Sequence, residues 1–206
     1  TSFNLDEYVG IEPTHIQSYR FFMQRQLFDH IDIDPLKTHL PIGNGVDNPT
    51  EAEAYDQLIA KHGGIDIQLL GIGSNGHIGF NEPSSSLSSR CRVKTLTTTT
   101  VEDNSRYFNT DEYQPRSAIT LGIANILEAR QVVLLATGFG KAPAVKAMIE
   151  GPLSSMCPAS ALQMHPSAVV IIDRAASCEL IQSEYYQQVE NMAQELLLAG
   201  ENRHGR

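Results

Sequence analysis

Three short apolar runs limit what this chain can fold into: Ile67–Leu70, Val132–Ala136 and Ala168–Ile172. None keeps a strict alternation of polar and apolar residues, so each reads as a buried strand rather than one with a wet face. Segments of helical character separate them, at His15–Phe28, Thr50 to about His62, Ala118–Leu127, Lys141–Ile149 and Glu179–Leu198. Thr50 and Glu53 supply a capping box for the second of these, and Pro13 with Thr14 a start for the first. Continuous strands alternating with helices imply a parallel sheet covered on both faces, a three-layer α/β/α sandwich. Phe3–Leu5 adds a short strand fragment leading into Asp6 and Glu7. With 206 residues, no repeat and no linker, the expectation is one α/β domain spanning 1–206.

Bulk properties exclude several classes of partner. The net charge of −9 argues against nucleic acid and anionic membranes. No apolar run approaches membrane-spanning length, and nothing at the start resembles a signal peptide. The chain begins mid-pattern, as if cut inside a domain. Cys91, Cys157 and Cys178 are odd in number and lack metal-type spacing, which fits a reducing cytoplasm better than a disulfide framework.

Chemistry concentrates in Leu70–Pro83, LGIGSNGHIGFNEP. Gly71, Gly73 and Gly76 follow a strand and let backbone approach a ligand closely. They also fit the dinucleotide pattern G-x-G-x-x-G, but that fingerprint needs a helix behind the third glycine and an acid about twenty residues on. Asn81-Glu82-Pro83 breaks such a helix, and the later region reads Arg92-Val93-Lys94. His77 with Glu82 close by instead suggests proton transfer, the carboxylate fixing one imidazole tautomer and raising its basicity. Metal binding is disfavoured, since no second His or Cys stands at ligand spacing. Asp6-Glu7 also follows a strand, but taken alone it reads better as an acidic pair at a helix start, Glu7 above all. Thr137–Lys141 is a second strand–glycine–helix junction, where Lys141 either seats a phosphate or is simply solvated. Arg106 alone, and the cluster Arg90, Arg92 and Lys94, read as surface charge.

Taken in order, FNLDEYVG (3–10), LGIGSNGHIGFNEP (70–83), NSRYF (104–108), GFGKA (138–142) and ASALQMHP (159–166) resemble the glucosamine-6-phosphate deaminases. The resemblance runs to about Asp173. It implies a Rossmann-like α/β fold and conversion of glucosamine 6-phosphate and water to fructose 6-phosphate and ammonia, without metal or cofactor. Under it His77 opens the sugar ring with Glu82 orienting it, and Asp6 moves a proton between C2 and C1. Gly71, Arg106 and Lys141 fall on substrate positions, Arg106 and Lys141 on the phosphate. Ser85, Arg92, Lys94 and Thr95 match the site at which hexameric members bind the activator N-acetylglucosamine 6-phosphate, implying a homo-oligomer. Two departures stand out. Asn75 replaces the aspartate of hexameric bacterial members, which should shift more of the tuning of His77 onto Glu82. The family's N-terminal βα segment, with its phosphate-cradling loop, is missing, so a truncated copy is expected. A 6-phosphogluconolactonase-like enzyme and a non-catalytic sugar-phosphate-binding regulator are the competing readings.

Overall fold

The computed structural model describes residues 1–109 and 112–204, with side chains through Leu196. The chain opens with β1 (Ser2–Phe3), β2 (Asp6–Tyr8), α1 (Tyr19–Gln26), β3 (Thr38–His39) and α2 (Asn48–Lys61). Next come β4 (Ile67–Leu70), β5 (Arg92–Thr95), α3 (Thr98–Ser105), β6 (Ser117–Thr120) and α4 (Ile123–Leu127). It closes with β7 (Gln131–Ala136), α5 (Ala142–Ile149), β8 (Ala168–Ile172) and α6 (Ser183–His204).

The three apolar runs form one parallel sheet in the order β4–β7–β8. A parallel pair, β1–β3, and an antiparallel sheet, β2–β6–β5, accompany it. In the antiparallel sheet Thr120 stands between Asp6 on one side and Arg92 on the other. This is the α/β class expected from the strand–helix alternation.

Its covering differs from the expectation. Val132, Leu134 and Ala136 of β7 join Val145 and Met148 of α5 in the main core. Truncating a wholly buried side chain such as Leu134 should cost about 2–5 kcal/mol. The opposite face is open: Ile67, Leu69, Leu135, Val169 and Ile171 are 43–62 % exposed. Apolar character on both sides of a strand records that both sides can be packed, but supplies nothing to pack on the second.

Several boundaries also move. Ala118–Leu127 is not one helix: Ser117–Thr120 enters the antiparallel sheet, and α4 starts only after Gly122. There the Gly122 N–H donates to Asn125 Oδ1, and a Cβ would lie 2.0 Å from the Ser89 carbonyl oxygen. Ser18, not Thr14, caps α1, its hydroxyl accepting from the Phe21 N–H. Asp47 caps α2, so Thr50 sits inside that helix and donates its hydroxyl to Asp47. Asp6 and Glu7 lie on a strand of their own, β2, rather than at a helix start.

Candidate active site

β4 ends at Leu70, and the chain turns through Gly71–Gly76 to present His77. The Gly73 N–H donates to the His77 carbonyl (2.9 Å), and the Gly76 N–H to that of Gly73 (3.0 Å). Gly76 adopts φ +82°, where a side chain is strained. A Cβ on Gly73 would lie 2.3–2.5 Å from three atoms of the His77 ring. The glycine pattern that mimics a dinucleotide fingerprint therefore serves to seat an imidazole. Gly71 is exposed, with open space where its Cβ would be.

Glu82 is almost completely buried, and both its oxygens are engaged. Oε2 accepts from the Asn75 amide (2.9 Å) and lies 3.4 Å from His77 Nδ1. Oε1 accepts from the Thr100 hydroxyl and, at 3.3 Å, from that of Thr97. Burial opposes ionisation of Glu82, but the contacts from His77, Thr100 and Asn75 outweigh it and hold the carboxyl at about 2. His77 Nδ1 is itself buried and makes no hydrogen bond among the described residues, its 3.4 Å approach to Glu82 Oε2 being a polar contact only. Asn75 serves the pair differently from a direct bond to the ring. Its Oδ1 accepts from the His77 backbone N–H (3.1 Å), while its amide donates to Glu82.

Asn81 fixes the turn that delivers Glu82. Its amide donates to the Ile78 and Leu121 carbonyls, and its oxygen accepts from Arg92 Nη1 at 2.9 Å. The adjoining Phe80 N–H donates to the Thr120 hydroxyl (3.1 Å), joining this segment to the antiparallel sheet that carries Asp6. Asp6 is buried and accepts no side-chain hydrogen bond from the described residues. Burial, aided by the neighbouring Glu7, pushes its carboxyl up to about 8. Glu7 is a structural anchor: its oxygens accept from the N–H groups of Tyr8, Tyr19 and Arg20, tying β2 to the start of α1.

Lys141 reaches the glycine loop, its Nζ donating to the Ile72 carbonyl at 2.7 Å. The Gly138 N–H is taken by the Asp173 carboxylate, so that donor of the second glycine junction is already spent. Arg106 caps the C-terminal end of α3 and lies over the Tyr107 ring, with Nη2 donating to the Tyr107 hydroxyl (2.8 Å). It makes no polar contact with the glycine loop among the described residues. Arg92 and Ser85 are drawn towards Glu82 through Asn81 and the Ser85 N–H to Glu82 carbonyl bond. Lys94 and Thr95 lie further along β5. Thr97 and Thr100 were not visible as site residues in the sequence. Their run of threonines reads as polar filler until α3 is seen to begin there.

The sequence matches the family described as glucosamine-6-phosphate isomerases/6-phosphogluconolactonase over residues 3–171. It is 59 % identical over 197 residues to the glucosamine-6-phosphate deaminase of Cellvibrio japonicus (strain Ueda107), covering 96 % of this chain and 75 % of that protein. The corresponding protein of Hahella chejuensis (strain KCTC 2396) is 62 % identical over 190 residues, covering 92 % and 72 %. The chain belongs to this family. Among solved structures, a monomeric glucosamine-6-phosphate deaminase superposes with a TM-score of 0.84 at 46 % identity, covering 86 % of this chain and 74 % of that one. The 6-phosphogluconolactonase of Trypanosoma brucei superposes with a TM-score of 0.65 at 20 % identity, over 86 % and 73 %, and shares the fold alone. Within the glucosamine-6-phosphate isomerase family, then, this chain stands beside the deaminases. The residues the structure joins directly are Asn75, His77 and Glu82, with Lys141 held at the same loop.

Proposed function

We propose that this protein is a glucosamine-6-phosphate deaminase, converting glucosamine 6-phosphate and water to fructose 6-phosphate and ammonia in amino-sugar breakdown. One observation carries the reading: the ionised, fully engaged Glu82 beside His77, at the end of the glycine loop Gly71–Gly76. His77 transfers a proton at the ring oxygen and opens the sugar, while Glu82 holds the imidazole in place. Asp6, as base, takes the proton from C2 of the open chain and returns it at C1. The enol-type intermediate becomes a C2 iminium, water adds there, and ammonia leaves. A carboxyl at about 8 is matched to a base working near neutral pH. Lys141 holds the phosphate as a point charge, and Arg106 supplies a forked donor once it leaves Tyr107.

Ammonia release from glucosamine 6-phosphate tests the reading. The lactonase alternative predicts hydrolysis of 6-phosphogluconolactone with no ammonia, and a regulator predicts phosphosugar binding without turnover. Ser85, Arg92, Lys94 and Thr95 are proposed to take N-acetylglucosamine 6-phosphate. Ser85 Oγ is buried without a partner among the described residues, as an unfilled ligand position would leave it. A lowered half-saturation on adding that ligand is the expected result. The hexamer implied by the activator site is tested by light scattering, a monomer being the outcome that matches the solved relative. Cytoplasmic residence accords with three free thiols, and no helix among the described residues is long and apolar enough to cross a membrane.

A further inference from the structure

Helix α3 touches both halves of the candidate site. At its start, the Thr100 hydroxyl donates to Glu82 Oε1, and the Thr97 hydroxyl lies 3.3 Å from the same oxygen. The two threonines are locked together: the Thr100 N–H donates to Thr97 Oγ1 (3.2 Å), whose hydroxyl also lies 3.0 Å from Thr100 Oγ1. Near its end, Asn104 Nδ2 donates to the Tyr8 hydroxyl (3.1 Å) on β2, two residues after Asp6. Arg106 caps the helix. Between these ends Val101, and just beyond the helix Phe108, pack against the cluster of Tyr8, Phe80 and Leu96. The helix thus bonds to Glu82 at one end and to the Asp6 strand at the other.

We propose that Thr100 is a positioning residue that couples α3, and through it Arg106, to the Glu82–His77 pair. This rests on the deaminase reading and extends it. Thr100 is buried, and a buried hydroxyl aimed at a carboxylate has two effects. It fixes the rotation of the carboxylate, so that Oε2 faces His77 Nδ1 and the Asn75 amide. It also makes that rotation depend on where α3 sits. When a substrate phosphate engages Arg106 at the C-terminal end of the helix, the position of its first turn sets the alignment of His77. Binding at the phosphate and readiness at the ring oxygen become one event, a use of remote binding energy to orient the reacting centre.

The test uses Thr100→Val, which keeps shape and loses the hydroxyl, and Thr100→Ser, which keeps the hydroxyl. With glucosamine 6-phosphate, Thr100→Val should lower kcat about tenfold or more while KM stays within about threefold, and Thr100→Ser should restore kcat. Independently of turnover, the Glu82 carboxyl, followed by ¹³C NMR, should titrate about half a unit or more higher in Thr100→Val and not in Thr100→Ser. In a Glu82→Gln background, Thr100→Val should lower kcat no further than Glu82→Gln does. An unmoved Glu82 titration in Thr100→Val, or an equal loss of kcat with and without Glu82, overturns the proposal. Should the unaltered chain release no ammonia while the titrations behave as stated, the coupling stands and the deaminase reading falls. Thr100→Ala carries the same measurements if Thr100→Val does not fold.

Discussion

Asp6 and Glu82 are both buried carboxyls, yet one is pushed up to about 8 and the other held at about 2. Burial opposes ionisation in both. The difference is in the neighbours: Glu82 accepts from the Asn75 amide and the Thr100 and Thr97 hydroxyls and has His77 3.4 Å away, whereas Asp6 accepts no side-chain hydrogen bond from the described residues. Glu7, next to Asp6, shows that donors do not always win. Burial raises it, three backbone N–H groups pull it back, and it still titrates above the usual carboxylate range. Environment rather than residue type therefore separates the two, and in the proposed reaction it makes Glu82 a fixed charge and Asp6 a group able to take and release a proton.

The largest effect expected is on turnover. Asp6→Asn should lower ammonia release by about a thousandfold, because the base is lost while the fold is kept. The same variant should be more stable. A carboxyl whose folded pKa is raised costs stability as pH climbs from its unfolded value to its folded one, so the advantage of Asn grows from pH 3.8 to about 8 and then levels. Denaturant titrations across that range check it. Turnover of the unaltered chain should climb as pH rises towards 8, as Asp6 ionises.

Glu82→Gln should show the opposite sign. A depressed carboxyl contributes stability that is complete above its unfolded value of 4.5 and lost as pH falls through about 2. The variant should therefore be roughly 3 kcal/mol less stable at pH 7 in chemical denaturation, with the deficit shrinking in acid.

Gly73→Ala leaves both carboxyls untouched and isolates the seat of His77. Its Cβ must displace the imidazole, and a shift of that kind should lower kcat by about a hundredfold at near-normal stability. Asn75→Asp is the mildest change. It replaces a donor with a second negative charge beside Glu82, so the Glu82 carboxyl should titrate about one unit higher in ¹³C NMR. An unchanged Glu82 titration would remove Asn75 from the groups that tune it.

How much of this was legible beforehand differs by element. The parallel sheet could be read from three apolar runs, because strand propensity and burial coincide there. His77, Glu82 and Lys141 could be read because glycine turns at strand ends expose backbone and side chains together. Ser117–Thr120 could not, since a four-residue stretch such as Ser-Ala-Ile-Thr becomes strand or helix according to partners, here β2 and β5, far away in sequence. Thr97 and Thr100 were hidden for a related reason. A hydroxyl becomes a site residue only when a distant carboxylate is folded against it, and the separation of 18 residues between Glu82 and Thr100 carries no local signal. The open sheet face, with Leu69 and Ile171 more than half exposed, likewise depends on what packs, not on what could pack.

Carboxyl ¹³C NMR titration of the intact chain, assigned with Asp6→Asn and Glu82→Gln, tests the division between the two acids most directly. The expected result is one buried carboxyl titrating at about 8 and one at about 2, each missing from its own variant. Two ordinary titrations between about 3.5 and 4.5 would contradict it.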